Sequence, residues 1–173
     1  MLSKRPTSSE QSEYHQTLTA LVPDGPILQT LVDQVGEIAT FLESTIPEDQ
    51  VGVVHPPYGW SVRQVIEHCI DAERVFGYRV LRLATDEKVD LPGWDENHYA
   101  ACGYGPNADM HALSAEYQAL RGANLALLDR LEDAAWDRMG TADNKPFSVR
   151  TIAWLMAGHW IHHKTILEKR LAG

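Results

Sequence analysis

Two histidines near the end of the chain, His159 and His163, have the spacing of metal ligands on one helix. Residues four apart in an α-helix differ by about 40° around the axis and about 6 Å along it, so both imidazole rings can reach one ion. Apolar residues recur at helical spacing around the pair: Ile152, Leu155, Met156, Ile166 and Leu167. Both rings are therefore predicted to point into the protein interior.

A third histidine, His68, lies among Val65, Cys69 and Ala72 on the apolar stripe of another predicted helix. Buried imidazoles without partners carry a desolvation penalty of about 2 kcal/mol or more each, which a shared cation would remove. Nitrogen ligands favour zinc, nickel, copper or iron over magnesium or calcium. We therefore expect His68, His159 and His163 to hold one divalent metal ion, and three protein ligands leave room for water or substrate.

Spacing alone leaves other interpretations open. An HxxxH pair is short enough to arise by chance, and buried neutral histidines often only hydrogen-bond to carbonyl groups. His162 could replace either ligand of the pair, although its direction is toward the edge of the apolar face. Asp71, about one turn past His68, could orient that ring or be an ordinary solvated carboxylate. The other histidines are expected in tail, loop or solvent-facing positions without a specific role: His15, His55, His98 and His111.

Four predicted helices must position these residues. The first spans Pro26 to Thr45, and the second begins at a capping box formed by Ser61 and Gln64 and runs to about Thr85. The third spans Ala108 to about Leu131, and the fourth has Ser148 as its N-cap and runs to about Leu171. No alternating pattern predicts a strand, so we expect an all-α four-helix bundle.

The segments outside these helices are predicted to be irregular. Residues 1–20 are expected to form a polar tail, and Gly140 to Pro146 a link between helices. The long segment from Asp86 to Asn107 carries three side chains that either border a pocket or pack on the surface: Trp94, Asp95 and Tyr99. The whole chain, 1–173, is expected to form a single domain.

Composition excludes several classes of protein. The net charge of −9 would repel a phosphate backbone, and no cluster of basic residues is present, so we expect no nucleic-acid partner. No apolar run has the length of a signal peptide or a membrane span, which predicts a cytoplasmic protein without a membrane partner. Cys69 and Cys102 are too far apart for a CxxC site and are expected to be thiols, the first of them buried.

Two separated blocks of sequence carry a family resemblance. The stretch Gly59 to Arg79, with Gly59-Trp60-Ser61 and Glu67-His68, is followed by Leu91-Pro92-Gly93-Trp94-Asp95-Glu96-Asn97, and the late block is Gly158-His159-Trp160-Ile161-His162-His163. Together they closely resemble the DinB/YfiT-like family of bacterial metal-binding four-helix bundles, from about residue 20 to the end. The glutamate common after the first histidine of the late block is replaced here by Trp160, which we expect to alter the pocket rim.

The resemblance implies a fold, a ligand set and a range of activities. It implies a four-helix bundle in which His68, His159 and His163 bind zinc or nickel, and pairing of two chains into a homodimer. Some members of the family transfer or rearrange groups with a low-molecular-weight thiol such as bacillithiol or mycothiol. Others are described as metal-dependent hydrolases.

Three hypotheses about the role of this site follow. In the first, the chain is an enzyme whose metal lowers the pKa of a bound water or thiol and polarises a small electrophilic substrate. The sequence has neither a Ser-His-Asp arrangement nor an HExxH base, which favours thiol chemistry. In the second, the chain is a non-catalytic bundle that binds a metal or a small ligand, and in a third reading the ion only stabilises the fold.

Overall fold

Four long helices pack into a bundle in the computed structural model, which describes residues 4–88, 90–103 and 109–173. The long helices are α2 (Ile27–Thr40), α3 (Val62–Ala84), α5 (Met110–Asp129) and α6 (Val149–Leu171). Two short helices are α1 (Glu13–Thr19) and α4 (Glu96–Cys102), and a π-helical turn, Phe41–Thr45, continues α2. The prediction of an all-α four-helix bundle is confirmed.

Side-chain caps fix where the two most important helices begin. At the start of α3, Ser61 Oγ accepts from the Gln64 backbone N–H at 3.2 Å, and Gln64 Oε1 accepts from the Ser61 N–H at 2.8 Å. At the start of α6, Ser148 Oγ accepts from the Thr151 N–H at 3.0 Å. Each cap satisfies N–H groups that have no partner within the helix, so both helices begin where the sequence predicts.

The third predicted helix begins slightly later than expected. Asp109 is its N-cap, and its Oδ1 accepts from the Ala112 N–H at 2.7 Å. The predicted first residue, Ala108, lies outside the described residues.

A small sheet corrects the prediction that the chain has no strands. It contains β1 (Asp90–Leu91), β2 (Met139–Ala142) and β3 (Lys145–Ser148), with β2 antiparallel to β3 and parallel to β1. The predicted link from Gly140 to Pro146 is thus part of a hairpin, which Asp143 and Asn144 turn with φ of 55° and 57°. Strands of four residues or fewer are too short to show a clear alternation in the sequence.

The predicted polar tail also contains structure. Within residues 4–20, α1 packs on α6, and its Leu18 is buried. A Cβ atom placed on Gly158 of α6 would lie 2.2 Å from the Leu18 carbonyl oxygen, so this approach requires a glycine. The helix has only seven residues, most of them polar, and its contacts with distant residues cannot be inferred from local periodicity.

The bundle interior contains a buried polar network beside its apolar core. Arg121 on α5 is 0% exposed and donates to Glu73 of α3 through Nε at 2.8 Å and Nη2 at 3.0 Å. The same guanidinium donates to Gln34 of α2 at 2.8 Å and to the Met156 carbonyl of α6 at 3.1 Å, while Asn124 donates to Glu73 Oε1 at 2.9 Å. One arginine therefore connects all four long helices.

None of the helices in the described part of the chain combines the length and apolar character that crossing a membrane requires.

Candidate metal centre

The contact between α3 and α6 brings the three predicted ligands together. The Nε2 atom of His159 lies 3.0 Å from that of His68 and 3.1 Å from that of His163. One ring nitrogen from each of the three residues lies within 4.8 Å of the others. We call His68, His159 and His163 the histidine trio.

The spacing within the trio fits a shared metal ion. Nitrogen ligands about 2.0–2.1 Å from one ion are about 2.9–3.4 Å apart at angles of about 90–110°. Hydrogen bonding alone satisfies the trio poorly, because His159 Nε2 has one position for a proton or a lone pair and faces two other Nε2 atoms. A cation would instead accept all three lone pairs at once.

The trio is held in the protonation state that binds metals. Burial lowers the pKa of His68 to about 4 and that of His163 to about 2, and it also lowers the pKa of His159 well below its ordinary value. The neighbouring rings lower the pKa values further, because a charge on one imidazole disfavours a charge on the next. All three rings are thus neutral at pH 7, and protons do not compete for the lone pairs.

Aromatic side chains enclose the trio on the pocket side. Trp94 stacks on His68 with ring planes 8° apart and centroids 5.4 Å apart, and Trp60 lies 5.0 Å from the same ring. Phe76 meets His159 edge-on at 5.7 Å. The Nδ1 atom of His68 is buried and has no hydrogen-bond partner among the described residues. Packing, rather than a hydrogen bond, therefore orients the His68 ring.

A pocket of about 290 Å³ leads away from the trio. All three histidines line it, and α1, α3 and the β-hairpin supply the opposite wall with His15, Arg79 and Phe147. Glu96 and Asp143 also line the pocket and are exposed. The histidine trio is therefore accessible to a small molecule on one side and packed into the bundle on the other.

The structure places the other candidate residues outside the trio. His162 packs edge-on against His163 with centroids 5.0 Å apart and contributes no nitrogen to the cluster. Asp71 makes no hydrogen bond with His68 Nδ1 and lies 3.8 Å from Arg74. Trp94 borders the pocket, whereas Asp95 caps α4 by accepting from the His98 N–H at 3.0 Å.

One expectation about the late block is wrong. Trp160 is 0% exposed and lies in the core between Phe41 and Tyr117, with its ring nitrogen 3.3 Å from Glu37 Oε2. It follows His159 by one residue, which on a helix turns the side chain by about 100° to the other side of the bundle. The replacement of the common glutamate therefore alters the core and not the pocket rim.

Two residues of the pocket were not predicted from the sequence. His15 was expected in a tail without a role, yet its ring packs on Phe147 with centroids 4.7 Å apart, and its Nδ1 lies 2.9 Å from Ser12 Oγ. The position of Arg79 in the pocket was not predicted, although this residue continues the stripe of α3 that contains His68, Ala72 and Phe76. That positional match with His68 is the signal that could have identified it.

A four-helix bundle in which two adjacent helices bring three neutral histidines to the base of a pocket defines a class of proteins suited to binding one divalent metal. Within that class the chain belongs to the DinB superfamily, whose family model matches residues 32–167. The resemblance seen in the two sequence blocks is confirmed.

One solved structure supports the same fold. It is described as "YfiT from Bacillus subtilis is a probable metal-dependent hydrolase with an unusual four-helix bundle topology". The TM-score is 0.72 at 22% sequence identity, over 98% of this chain and 94% of that chain. No curated protein matches this sequence.

Proposed function

We propose that this chain is a metal-dependent enzyme in which His68, His159 and His163 hold one divalent ion, zinc or nickel, facing the pocket. The observation that carries the proposal is the convergence of three neutral Nε2 atoms, 3.0 and 3.1 Å apart where measured from His159, at the base of an open pocket. The bound ion would lower the pKa of a water or thiol and polarise a small electrophilic substrate.

The protein's own residues have three tasks in this proposal. The trio supplies neutral lone pairs, and Trp94 and Phe76, which line the pocket and pack against its rings, limit the access of water to the trio. The pocket positions the substrate beside the trio, which reduces the entropy lost on reaching the transition state.

The choice between water and a low-molecular-weight thiol follows from the available bases. Among the described pocket residues, the carboxylates are Glu96 and Asp143, and both are exposed at the rim rather than in contact with the trio. Without an adjacent carboxylate base, a thiol is the more favourable nucleophile because it loses its proton more readily than water does. We therefore propose a thiol transferase first and a hydrolase, as the YfiT structure is described, second.

Metal analysis and turnover assays test this proposal together. Untagged protein should contain about one zinc or nickel ion per chain, lost in His159→Ala and retained in the control His162→Ala. The metal-loaded protein is then incubated with electrophilic substrates, with and without small thiols. Thiol-dependent turnover that disappears in His159→Ala supports the transferase, and thiol-independent turnover supports the hydrolase. Bound metal without any turnover would instead indicate a bundle that binds a metal or ligand without catalysis.

We also propose that two copies of the chain form a homodimer, which the family resemblance supports. Sedimentation equilibrium should give twice the mass of the chain at micromolar concentration. A monomer mass under those conditions would contradict this proposal.

A further inference from the structure

Arg79 is a buried cation without an acidic partner. Its side chain lines the pocket, and the residue is only 6% exposed. Its single hydrogen bond among the described residues runs from Nη2 to the Pro92 carbonyl oxygen at 3.3 Å, and its guanidinium carbon lies 5.4 Å from the Phe147 ring centroid. None of the ion pairs in the described part of the chain includes Arg79.

The other buried arginines each have a carboxylate partner or at least two main-chain carbonyl partners within the protein. Arg121 pairs with Glu73, and Arg150 pairs with Asp137 and lies 3.9 Å from Glu10. Arg170 has no carboxylate partner but donates to the Trp60 and Val53 carbonyls at 2.8 and 3.2 Å. A buried cation is costly unless it is paired, and a guanidinium fork is well matched to a carboxylate. Arg79 is therefore suited to bind an anion that does not belong to the chain.

Arg79 and His68 lie at opposite ends of one stripe on α3. They are eleven residues apart, which corresponds to about three turns and about 16 Å along the helix. Ala72 and Phe76 lie between them and line the same pocket. Because helical side chains lean toward the helix N-terminus, Arg79 leans toward the trio. A ligand held at Arg79 therefore extends along the apolar residues of this stripe in the direction of the trio.

The charges around Arg79 favour a ligand with one negative charge. Lys145, the other cation that lines this end of the pocket, pairs with Asp143, and both are exposed. Burial lowers the pKa of His15 to about 4, helped by Lys145 and Arg79, so this ring is neutral at pH 7. Asp143 and Asp90 act on the Arg79 charge electrostatically but form no ion pair with it among the described residues. One buried positive charge thus lacks a direct partner, and a phosphate dianion would bring a second negative charge close to these carboxylates.

We propose that the pocket binds a small monocarboxylate with a short apolar body, whose carboxylate pairs with Arg79 and whose opposite end points toward the histidine trio. The role of the opposite end rests on the proposed metal-dependent function, and the carboxylate site at Arg79 does not. The volume of about 290 Å³ is at the lower limit of ligand pockets, which restricts the ligand to a small molecule.

The test uses pentanoate as the probe and the full chain in metal-free and zinc-loaded forms. The Nε–Hε resonance of Arg79 is assigned in ¹⁵N-labelled protein by its absence from Arg79→Gln. Pentanoate should shift this resonance in both forms, and the uncharged analogue pentanamide should not. This measurement on the wild-type chain decides the proposal even if a variant fails to fold.

Variants measure how much the interaction contributes. Arg79→Gln should weaken pentanoate binding by about 10- to 100-fold, the range expected when a charged hydrogen bond is lost. Arg79→Lys, which keeps the charge but loses the fork, should weaken it less. The matched control Arg82→Gln removes a cation from the same helix, where Arg82 pairs with Glu87, and should leave binding unchanged.

Three results would overturn the proposal. If pentanoate binds the zinc-loaded Arg79→Gln variant as well as the wild type but does not bind the metal-free protein, its carboxylate contacts the metal and not Arg79. Propyl phosphate binding more tightly than pentanoate would contradict the single-charge argument, and a shift caused equally by pentanamide would contradict the carboxylate. Zinc content is measured in every variant. A wild-type chain that takes up no zinc but binds pentanoate at Arg79 would refute the metal-dependent function and leave this inference standing.

Discussion

Two buried polar clusters both involve α3 and α6, and they differ in how well their polar atoms are satisfied. In the network around Arg121, the guanidinium donates to Glu73, to Gln34 and to a main-chain carbonyl of α6. In the histidine trio, three Nε2 atoms face one another, and His68 Nδ1 has no partner among the described residues. Glu73 follows His68 by only five residues on α3.

This difference indicates that the Arg121 network specifies how the helices pack, whereas the histidine trio is suited to bind a ligand. A fully bonded network gains nothing from an added molecule, and it fixes the relative positions of the helices that contribute to it. Unsatisfied buried polar atoms are rare in folded proteins, so a cluster of them beside a pocket indicates a binding site. Arg79, which forms no ion pair among the described residues, also faces this pocket.

The largest effect is expected from breaking the network. Replacing Arg121 by methionine leaves the Glu73 carboxylate buried and unpaired, which should lower the free energy of unfolding by about 3–5 kcal/mol. The control Arg74→Met removes a partly exposed arginine that pairs with Glu116 on the surface, and it should cost less than about 1 kcal/mol. Denaturant unfolding measures both, and equal losses would mean that the network is no more important than a surface pair.

Removing one member of the trio should affect metal binding more than folding. Zinc at about 100 times its dissociation constant should stabilise the wild-type chain by about 2.7 kcal/mol. In His159→Ala this stabilisation should vanish, because the nitrogen that lies next to both other Nε2 atoms is gone. His162→Ala should keep it, and thermal unfolding with and without zinc provides the comparison. Full zinc stabilisation of His159→Ala would refute the three-ligand site.

A pH titration separates the trio from the network, because histidine is the side chain whose ordinary pKa lies between pH 5 and 8. The folded-state pKa of His68 is lowered to about 4 by burial, so the unfolded chain binds more protons below about pH 6.5. The contribution of His68 to the stability of the metal-free protein should therefore be fully present above that pH and fall by about 2 kcal/mol between pH 7 and 5, and the lowered pKa values of His159 and His163 add to this fall.

The variant His68→Gln isolates the contribution of that ring to the pH dependence. Its free energy of unfolding should fall less steeply between pH 7 and 5 than that of the wild type, whereas the exposed-surface control His111→Gln should follow the wild-type curve. Stability that rises as the pH falls through this window would contradict the lowered pKa values.

Two glycines provide the smallest and most local test. A Cβ atom on Gly77 would lie 2.1 Å from Asn124 Oδ1, so Gly77→Ala must displace a side chain that donates to Glu73. We expect a loss of about 1–2 kcal/mol, because Asn124 can rotate but loses its partner. Gly36 on α2 has open space around it, and Gly36→Ala should stabilise the chain by about 0.4–1 kcal/mol. Unfolding curves of the two variants should shift in opposite directions.

The sequence predicts those features that depend on local pattern. The Ser61 and Ser148 caps set the starts of α3 and α6, and apolar periodicity identifies His68, His159 and His163 as inward-facing. The apolar stripes fix the rotation of α3 and α6 about their own axes. If the two helices pack side by side, the three inward-facing rings must then lie near one another. The long helices and the composition of the histidine trio were therefore predictable.

Features that depend on distant partners were not predictable. Glu73 and Arg121 are 48 residues apart and look like ordinary surface charges on amphipathic helices until the two helices pack. Arg79 has the same appearance, and its burial depends on Pro92 and on Phe147 of the hairpin. The expected position of Trp160 at the pocket rim is wrong, because the turn of the helix after His159 directs this side chain into the core.

The contact between Gly158 and Leu18 joins the two ends of the chain. Leu18 belongs to α1 and Gly158 to α6, so the pocket wall that carries His15 is held against α6 by a contact between residues that are far apart in the sequence. The loop closed by this contact is among the longest in the molecule, and its entropic cost falls on α1 rather than on the four long helices. The position of α1, and with it the His15 wall of the pocket, therefore depends on a long-range contact rather than on the caps that fix the starts of α3 and α6.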